Sequence, residues 1–394
     1  MSNVPKLRFK GFIEENRLQK FKEVVLSNTY GPRFNANDYD CNGNVKTIRG
    51  TDVTIDGYIK YNQVPTAQLD DKFIKSHILE DGDLVMITTA DCGLTGIFEE
   101  QNEKYICSAY AVKIALNKSL AYPYYFKYYF QTALAKNEVN KYIRKATVAN
   151  LPASDILKFS HRLPIKQEQE KIASFLTSVD EKIEQLIKKE ELLQQYKKGI
   201  MQKIFNQEIR FKADDGSEFC DWEEKKVSDI FDVTRGYVLA VTNMSEVKTD
   251  EFKYPVYSSQ TKNKGLTGYY NQYLYENSIT WTTDGANAGD VNFRQGKFYC
   301  TNVCGVLKSD KGYANECIAQ ILNSVTKKYV SYVGNPKLMN NTMGSIKIFV
   351  PSSIEEQTKI ANFLLSIDSK IEQVQKQLNS TKELKKALLQ QMFV

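Results

Sequence analysis

Two stretches of the chain place apolar residues at the seven-residue spacing of a coiled-coil helix. In residues 164–207 the apolar positions are Ile172, Leu176, Val179, Ile183, Leu186, Leu193 and Ile200. In residues 351–394 they are Ile360, Leu364, Ile367, Ile371, Val374, Leu378 and Leu388. Both stretches lack internal proline and are rich in Glu, Lys, Gln and Leu, so each predicts one long helix.

The two helical stretches are copies of one another. From Gln169 onward they align without a gap at a constant offset of 188 residues. For example, Lys182–Gln185 repeats as Lys370–Gln373, and Phe205 repeats as Phe393. Matching apolar rows favour pairing of the two helices with one another. The alternative is that each helix packs separately on the surface of its own domain.

The segments that precede the helices repeat more faintly. Leu7–Lys10 resembles Ile209–Lys212, and Thr29-Tyr30-Gly31 falls where Thr234-Arg235-Gly236 falls. The chain is therefore predicted to contain a first module at 1–163, a helix at 164–207, a second module at 208–350 and a second helix at 351–394.

Short β-prone runs and turn residues alternate within each module. The predicted strands are Asp83–Thr88, Tyr105–Ala111, Ser278–Thr282 and Phe298–Val306. Short helices are predicted at Tyr124–Leu134 and Asn315–Thr326. The glycine-bearing segments 91–96 and 284–289 predict turns. The fold class is therefore α+β, with two similar strand-rich modules and two long helices.

Composition excludes several classes of protein. The chain has 394 residues, of which 42% are hydrophobic and 25% charged, so it is a folded protein with room for more than one domain. The net charge of +6 is too small to indicate the partner. No apolar run reaches the length of about 18 residues that a membrane-spanning helix needs, and the first residues lack the features of a signal peptide. We therefore expect a cytoplasmic location.

The sequence lacks a recognisable catalytic constellation. Its 7 Cys residues include no C-x-x-C pair, and its 2 His residues, His77 and His161, lie far apart, which argues against a metal site and against His-based catalysis. Phosphate-binding loops and nucleophile elbows are also missing. These observations favour a binding protein. Two alternatives stay open, namely a nuclease or methyltransferase with an unrecognised site and a repeat-built scaffold that binds protein or glycan.

Side chains suited to base edges and phosphates cluster near the glycine-bearing turns, where glycine allows close approach of a ligand. The candidates in the first module are Tyr30, Arg33, Lys46, Arg49, Lys60 and Gln63. Those in the second module are Arg235, Tyr237, Gln260, Lys262, Lys264, Asn287 and Arg294. Together they predict one DNA-facing surface on each module.

Two variable modules, each followed by a near-identical helix, resemble the specificity subunit of a type I restriction–modification enzyme. The resemblance rests on the segment at 5–12, the segment at 221–236, the loop at 283–290 and both long helices. It implies two target-recognition domains, each reading one half of a bipartite, asymmetric DNA site. It also implies that the two helices pair as an antiparallel coiled coil, which sets the spacing between the domains.

The resemblance further implies a set of partners for a chain that is itself non-catalytic. Two methyltransferase subunits would use S-adenosylmethionine, and motor-nuclease subunits would use ATP and magnesium, with none of these cofactors bound by this chain. The complex would direct adenine methylation or DNA cleavage. The first module departs from the second in its turn, where Cys92 stands in place of Gly285 and Leu94 in place of Asn287.

Overall fold

The computed structural model describes residues 4–145, 147–259 and 262–394. The chain divides into two units. The first comprises Met1–Lys188 with Gln375–Val394, and the second comprises Lys189–Val374. Each unit therefore contains one strand-rich module and a part of each long helix. Within the described ranges, no helix has both the length and the apolar character needed to cross a membrane.

The first unit is built on short strands. They are β1 (Arg17–Lys20), β2 (Val25–Tyr30), β3 (Val45–Ile48), β4 (Thr66–Ala67), β5 (Leu84–Ile87), β6 (Thr95–Ile97), β7 (Tyr105–Cys107), β8 (Ala111–Leu116) and β9 (Ser160–Leu163). Strands β2-β8-β5-β6 form one antiparallel sheet in that order, and β4-β3-β7 form a second in which β3 and β7 are parallel. Strand β1 pairs with β9. The helices are α1 (Asp71–Ile74), α2 (Pro123–Tyr129), α3 (Ala133–Asn140), α4 (Ala153–Ile156) and the long α5 (Lys166–Phe205).

The second unit has one larger sheet. Its strands are β10 (Glu223–Lys226), β11 (Asp232–Arg235), β12 (Tyr254–Tyr257), β13 (Leu266–Tyr270), β14 (Tyr275–Thr282), β15 (Val291–Cys300), β16 (Cys304–Lys308) and β17 (Lys347–Val350). The sheet order is β11-β16-β14-β15-β12-β13, and β10 pairs with β17. The helices are α6 (Val227–Ile230), α7 (Glu316–Val325), α8 (Asn340–Ser345) and the long α9 (Ile354–Gln391).

The two modules share one strand order. Strands β11-β16-β14 follow the same arrangement as β2-β8-β5, and β12-β13 follow β3-β4. The long β15 takes the places of both β6 and β7, because it pairs with β14 on one side and in parallel with β12 on the other. The faint sequence repeat is thus a repeat of topology, and the fold is a mixed α/β fold with two similar domains.

Two predicted strands are wrong in their extent. The segment Phe298–Val306 contains the end of β15, a turn and the start of β16, and the N–H of Cys304 closes the turn by donating to the carbonyl of Thr301 at 3.0 Å. Likewise, Tyr105–Ala111 is divided between β7 and β8. Continuous β-prone composition therefore concealed a reversal of direction in both modules.

The predicted helix Tyr124–Leu134 is also divided, into α2 and α3. The hydroxyl of Thr132 accepts a hydrogen bond from the N–H of Ala135 at 3.1 Å and caps the start of α3. A capping threonine satisfies a free N–H group of the first helical turn, so it begins a new helix rather than continuing the old one. The helix predicted at Asn315–Thr326 is observed as Glu316–Val325, with Asn315 as its cap.

Both long helices begin with the same anchor. In the first unit, Nη2 of Arg8 lies 2.6 Å from Oε2 of Glu168. In the second unit, Nη2 of Arg210 lies 3.1 Å from Oε2 of Glu356. Both carboxylates are buried near the start of their helix, where a negative charge is favoured by the helix dipole. Each module is therefore tied to the helix that follows it by the same ion pair.

The apolar rows of the two helices lie in the cores of the units. Every predicted position, from Ile172 to Ile200 and from Ile360 to Leu388, is buried or half-buried. In the first unit, Leu388 belongs to the same hydrophobic cluster as Ile172 and Leu176. In the second unit, Ile204 belongs to the same cluster as Ile360 and Leu364.

Candidate nucleic-acid interface

A glycine follows the first strand of the main sheet in each module. A Cβ atom on Gly31 would lie 1.9 Å from the carbonyl oxygen of Cys107, and one on Gly236 would lie 2.2 Å from that of Cys300. Only a residue without a side chain allows two backbone segments to approach so closely. The sequence repeat therefore reflects a repeated backbone contact at this edge.

Tyr30 and Arg235 directly precede these glycines, and both side chains are exposed. The hydroxyl of Tyr30 accepts a hydrogen bond from the N–H of Ala153 at 2.9 Å. Nη2 of Arg235 donates to the carbonyl of Asn302 at 2.7 Å. Each side chain is thus oriented by its own unit while keeping surface for a ligand.

Two candidates of the first module are held by a buried carboxylate. Nη2 of Arg49 lies 3.0 Å from Oδ1 of Asp52, and Nε2 of Gln63 donates to the same oxygen at 2.9 Å. Burial alone would raise the pKa of Asp52, but the hydrogen bonds from Arg49 keep it below its usual value. Part of the hydrogen-bonding capacity of Arg49 and Gln63 is therefore used within the module.

The other candidate cations of the first module differ in whether they have an ion-pair partner. Nζ of Lys46 lies 2.9 Å from Oε1 of Glu103, and this hydrogen bond raises the pKa of Lys46. Arg33 and Lys60 are exposed, and in the described part of the chain neither has an ion-pair partner. Among the candidate cations of this module, Arg33 and Lys60 are accordingly the most available to a phosphate.

At one surface of the second unit, the loop 283–289 contacts Ser259, which precedes the turn 262–265, and the hairpin 331–337. Nδ2 of Asn287 donates to the carbonyl of Ser259 at 3.2 Å, which joins the loop to the segment leading into the turn. The N–H of Gly285 donates to the carbonyl of Pro336 at 2.9 Å, which joins the loop to the hairpin. Asn287 therefore helps to hold this surface together.

The structure places Arg294 inside the module, although the sequence suggested a DNA contact. Only 7% of the residue is exposed. Its Nε donates to Oγ1 of Thr280 at 2.9 Å, and its Nη2 donates to the carbonyl of Lys264 at 2.7 Å. The guanidinium carbon lies 3.7 Å from the ring centre of Tyr257, and burial lowers the pKa of Arg294. In this arrangement Arg294 supports the surface from beneath.

The other candidates of the second module fall into two groups. Tyr237 and Lys264 are exposed. Gln260 lies outside the described residues, and so does the side chain of Lys262, although its backbone belongs to the described turn. Lys264 is thus an exposed cation of the turn, and the hairpin carries a second one, Lys337, whose Nζ lies 3.9 Å from Oδ1 of Asp284.

Sequence reasoning missed the hairpins. Ser331 pairs with Lys337 in the second unit, as Arg144 pairs with Asn150 in the first. At the tip of the second hairpin, Tyr332 and Val333 are 69% and 93% exposed. The signal that could have found them is the turn residues of the segment 334–336, Gly-Asn-Pro.

Among the residues that the structure describes, no three His, Cys, Asp or Glu side chains are grouped to hold a metal ion. Burial raises the pKa of the Cys304 thiol to about 11 and also raises the pKa of Cys300. Both thiols are therefore protonated at neutral pH and are poor nucleophiles.

Comparison with known proteins points to one family. The family described as type I restriction modification DNA specificity domain matches residues 14–194 and 220–383. A Mycoplasma pneumoniae protein described as the N-terminus of a type I specificity subunit is 40% identical over 144 residues, which is 35% of this chain and 74% of that protein. The type I restriction enzyme MpnII specificity subunit of the same organism is 33% identical over 150 residues, 37% of this chain and 44% of that protein.

A solved structure supports the same fold. The crystal structure of a type I restriction–modification system S subunit from M. genitalium matches with a TM-score of 0.65 and covers 99% of both chains. The two sequences are 16% identical. The similarity therefore extends over both modules and both long helices, and it concerns the fold.

Proposed function

The chain belongs to the type I restriction–modification DNA specificity family, and we propose that it is the subunit that brings such a complex to its DNA target. In this proposal each module is a target-recognition domain that reads one half of a bipartite, asymmetric site. The observation that carries it is the repeated strand order, in which the same strand end bears Tyr30 in one module and Arg235 in the other. One scaffold with different side chains at the same place suits two different half-sites.

DNA binding by each module would combine phosphate contacts with base readout. Exposed Arg33 and Lys60 in the first module, and exposed Arg235 and Lys264 in the second, are the cations we assign to this role. Phosphate contacts release counterions and make affinity fall as salt rises, whereas contacts to base edges carry the selectivity. The modest net charge of +6 is compatible with this, since a few local cations suffice.

We assign the two long helices the role of an antiparallel coiled-coil spacer between the half-site readers. In the first unit the end of α9 shares a core with the first half of α5, and in the second unit the start of α9 shares a core with the end of α5. An ion pair in the second unit, from Nζ of Lys197 to Oδ1 of Asp368 at 2.6 Å, supports the same pairing. Opposite chain directions bring the start of one helix to the end of the other.

The proposal places catalysis in partner subunits. Two methyltransferase subunits would supply S-adenosylmethionine chemistry, and motor-nuclease subunits would supply ATP- and magnesium-dependent cleavage, with the complex working on DNA in the cytoplasm. No catalytic function is indicated for this chain by its relatives. We expect the purified chain alone to leave DNA unmethylated and uncut, and the chain together with its methyltransferase subunits to methylate adenine.

Exchange of one module tests the proposed function. Residues 208–350 are replaced by the corresponding module of a relative, and the methylated motif is determined by sequencing the DNA of cells that express the complex. We expect only one half-site to change, because each module would read its own half. The matched control replaces residues 1–163 and should change only the other half-site. If either exchange altered both half-sites, the assignment of one module to one half-site would be wrong.

A further inference from the structure

Arg294 carries a buried charge that has no carboxylate partner among the described residues. It lies on β15 with 7% of its surface exposed, and among the described residues no carboxylate lies within 4.0 Å of its nitrogen atoms. Its partners are neutral, namely the hydroxyl of Thr280, the carbonyl of Lys264 and the ring of Tyr257. A buried charge is costly to keep, and an apolar side chain of similar volume is often as stabilising. Stability alone therefore does not account for an arginine at this position.

The hydrogen bond from Arg294 ends on an unusual turn. Asn263, Lys264 and Gly265 all have left-handed backbone conformations, with φ of 51°, 52° and 87°. Residues other than glycine rarely adopt this conformation, and it persists where the surrounding structure imposes it. The turn closes through the N–H of Ser258, which donates to the carbonyl of Gly265 at 2.8 Å. The donation from Arg294 to the carbonyl of Lys264 lies at the centre of this turn.

The guanidinium group connects the turn to the sheet. Its Nε is fixed by Thr280 on β14 and its Nη2 by the turn, and these nitrogens belong to one rigid plane. A shift of the turn would therefore have to break one of the two hydrogen bonds. Asn287 adds a second connection by donating to the carbonyl of Ser259 at 3.2 Å.

We propose that Arg294 is a positioning residue that sets the place of the turn 262–265 against DNA and thereby determines base preference in the second half-site without touching the DNA. This inference rests on the proposed function, and it assigns to Arg294 an indirect effect on base preference in the second half-site. The turn carries exposed Lys264, Ser259 before the turn contacts the loop 283–289, and that loop contacts the hairpin 331–337. A displaced turn would shift the contacts that its backbone makes on the DNA side, while the long flexible side chain of Lys264 would still reach a phosphate, so the number of phosphate contacts would stay the same.

The test uses the assembled methyltransferase complex and a duplex that carries the motif found by methylation sequencing. Binding is measured against duplexes with single base changes in either half-site, across a series of salt concentrations. Arg294→Met should reduce discrimination in the second half-site by about tenfold or more, keep discrimination in the first, and leave the salt slope unchanged. Arg294→Lys should not restore discrimination, because a single ammonium cannot reproduce the planar fork. Thr280→Val, which removes only the Nε partner, should cause a smaller loss in the same half-site.

The comparison variant is Lys264→Ala, which should lower the salt slope by about one while weakening all duplexes alike. If Arg294→Met lowered the salt slope as Lys264→Ala does, Arg294 would be a phosphate contact and the inference would be overturned. Unchanged discrimination in both Arg294→Met and Thr280→Val would also overturn it. A parent complex that failed to discriminate between any of the duplexes would instead overturn the proposed function itself.

Discussion

Lys385 and Asp180 form a buried ion pair in the first unit, with 2.7 Å between Nζ and Oδ1 and with 9% and 6% of their side chains exposed. The offset of 188 residues maps this pair onto Lys197 and Asp368 in the second unit, with the roles of the two helices exchanged. There the distance is 2.6 Å, but 20% and 22% of the side chains are exposed. One repeated pair therefore has two environments.

The first pair is buried because side chains of the first module pack around it. The hydroxyls of Tyr58 and Tyr128 donate to Oδ2 of Asp180 at 3.0 and 2.9 Å. Nζ of Lys127 lies 3.2 Å from the ring centre of Tyr58, and burial lowers the pKa of Lys127 to about 8. Asp180 thus joins α5, the first module and the end of α9 within one polar network.

Lys385→Met should destabilise the first unit much more than Lys197→Met destabilises the second. Removing Lys385 leaves the buried carboxylate of Asp180 with Lys127 as its remaining cation, at 3.8 Å, and also breaks the 2.9 Å pair of Lys385 with Asp56, which together costs about 3 kcal/mol. Removing Lys197 exposes Asp368 to water and costs about 1 kcal/mol or less. Urea unfolding of the purified chain, with hydrogen exchange to assign each change to its unit, measures both losses. Equal losses would show that burial does not decide the strength of these pairs.

Lengthening both long helices should lengthen the unread spacer of the DNA site. Seven residues inserted after Glu191 and after Val374, at one level of the proposed antiparallel pair, keep the heptad register. They add about 10 Å of helix at about 1.5 Å per residue. At about 3.4 Å per base pair, this separation corresponds to roughly three base pairs. The expected methylation motif has the same half-sites with a spacer longer by about that number.

The control for this experiment is an insertion of four residues at the same two places. It shifts the apolar rows out of register and should abolish methylation. A complex with the seven-residue insertions that still methylated the original spacing would contradict the spacer role of the helices.

His161 should make the first unit sensitive to acid. It is buried among the rings of Phe21, Phe126 and Tyr129, and both ring nitrogens lack a hydrogen-bond partner in the described part of the chain. Burial lowers its pKa to about 4, below about 6.5 in an unfolded chain. Between these pH values the unfolded chain binds more protons, so stability present above pH 6.5 is lost as the pH falls towards 4.

The size of this effect follows from the shift of the pKa. About 3 kcal/mol should be lost between pH 7 and pH 4, and His161→Phe should abolish this loss because phenylalanine binds no proton. Phe159→Leu is the control, since it disturbs the same core without changing a proton and should lower stability equally at both pH values. The prediction fails if His161→Phe retains the pH dependence of the parent.

Arg235→Ala should relax one base position in the second half-site. The side chain is exposed at the end of β11, and a bidentate contact from arginine to a base edge discriminates by about 1–3 kcal/mol. The matched change in the first module is Tyr30→Ala at the corresponding strand end, which should affect only the first half-site. Binding of the assembled complex to duplexes with single base changes measures both effects. Loss of selectivity in the opposite half-site would contradict the division of reading between the modules.

Sequence repetition alone predicted the organisation of the chain. The constant offset between Gln169 and Gln357 and the heptad spacing of apolar residues identified both long helices, because these patterns depend on neighbours a few residues apart. A fainter repeat, at offsets of 202 and 205 residues, related Arg8 to Arg210 and Gly31 to Gly236 before any contact was known. The heptad spacing is a local feature of the sequence, and the similarity between the modules can be detected because it occurs twice in the same chain.

Tertiary structure decided which candidate side chains are available to DNA. Arg294, Arg49 and Lys46 are the same residue types as exposed Arg235 and Lys264, and nothing in the adjacent sequence distinguishes them. Folding buries Arg294 and brings the carbonyl of Lys264, 30 residues away, to its guanidinium group. Folding also brings Glu103 to Lys46. Burial and ion pairing depend on contacts between residues distant in sequence. The sequence alone could therefore name the candidate residues, but only the tertiary structure could show which of them are exposed and which are buried or paired within the module.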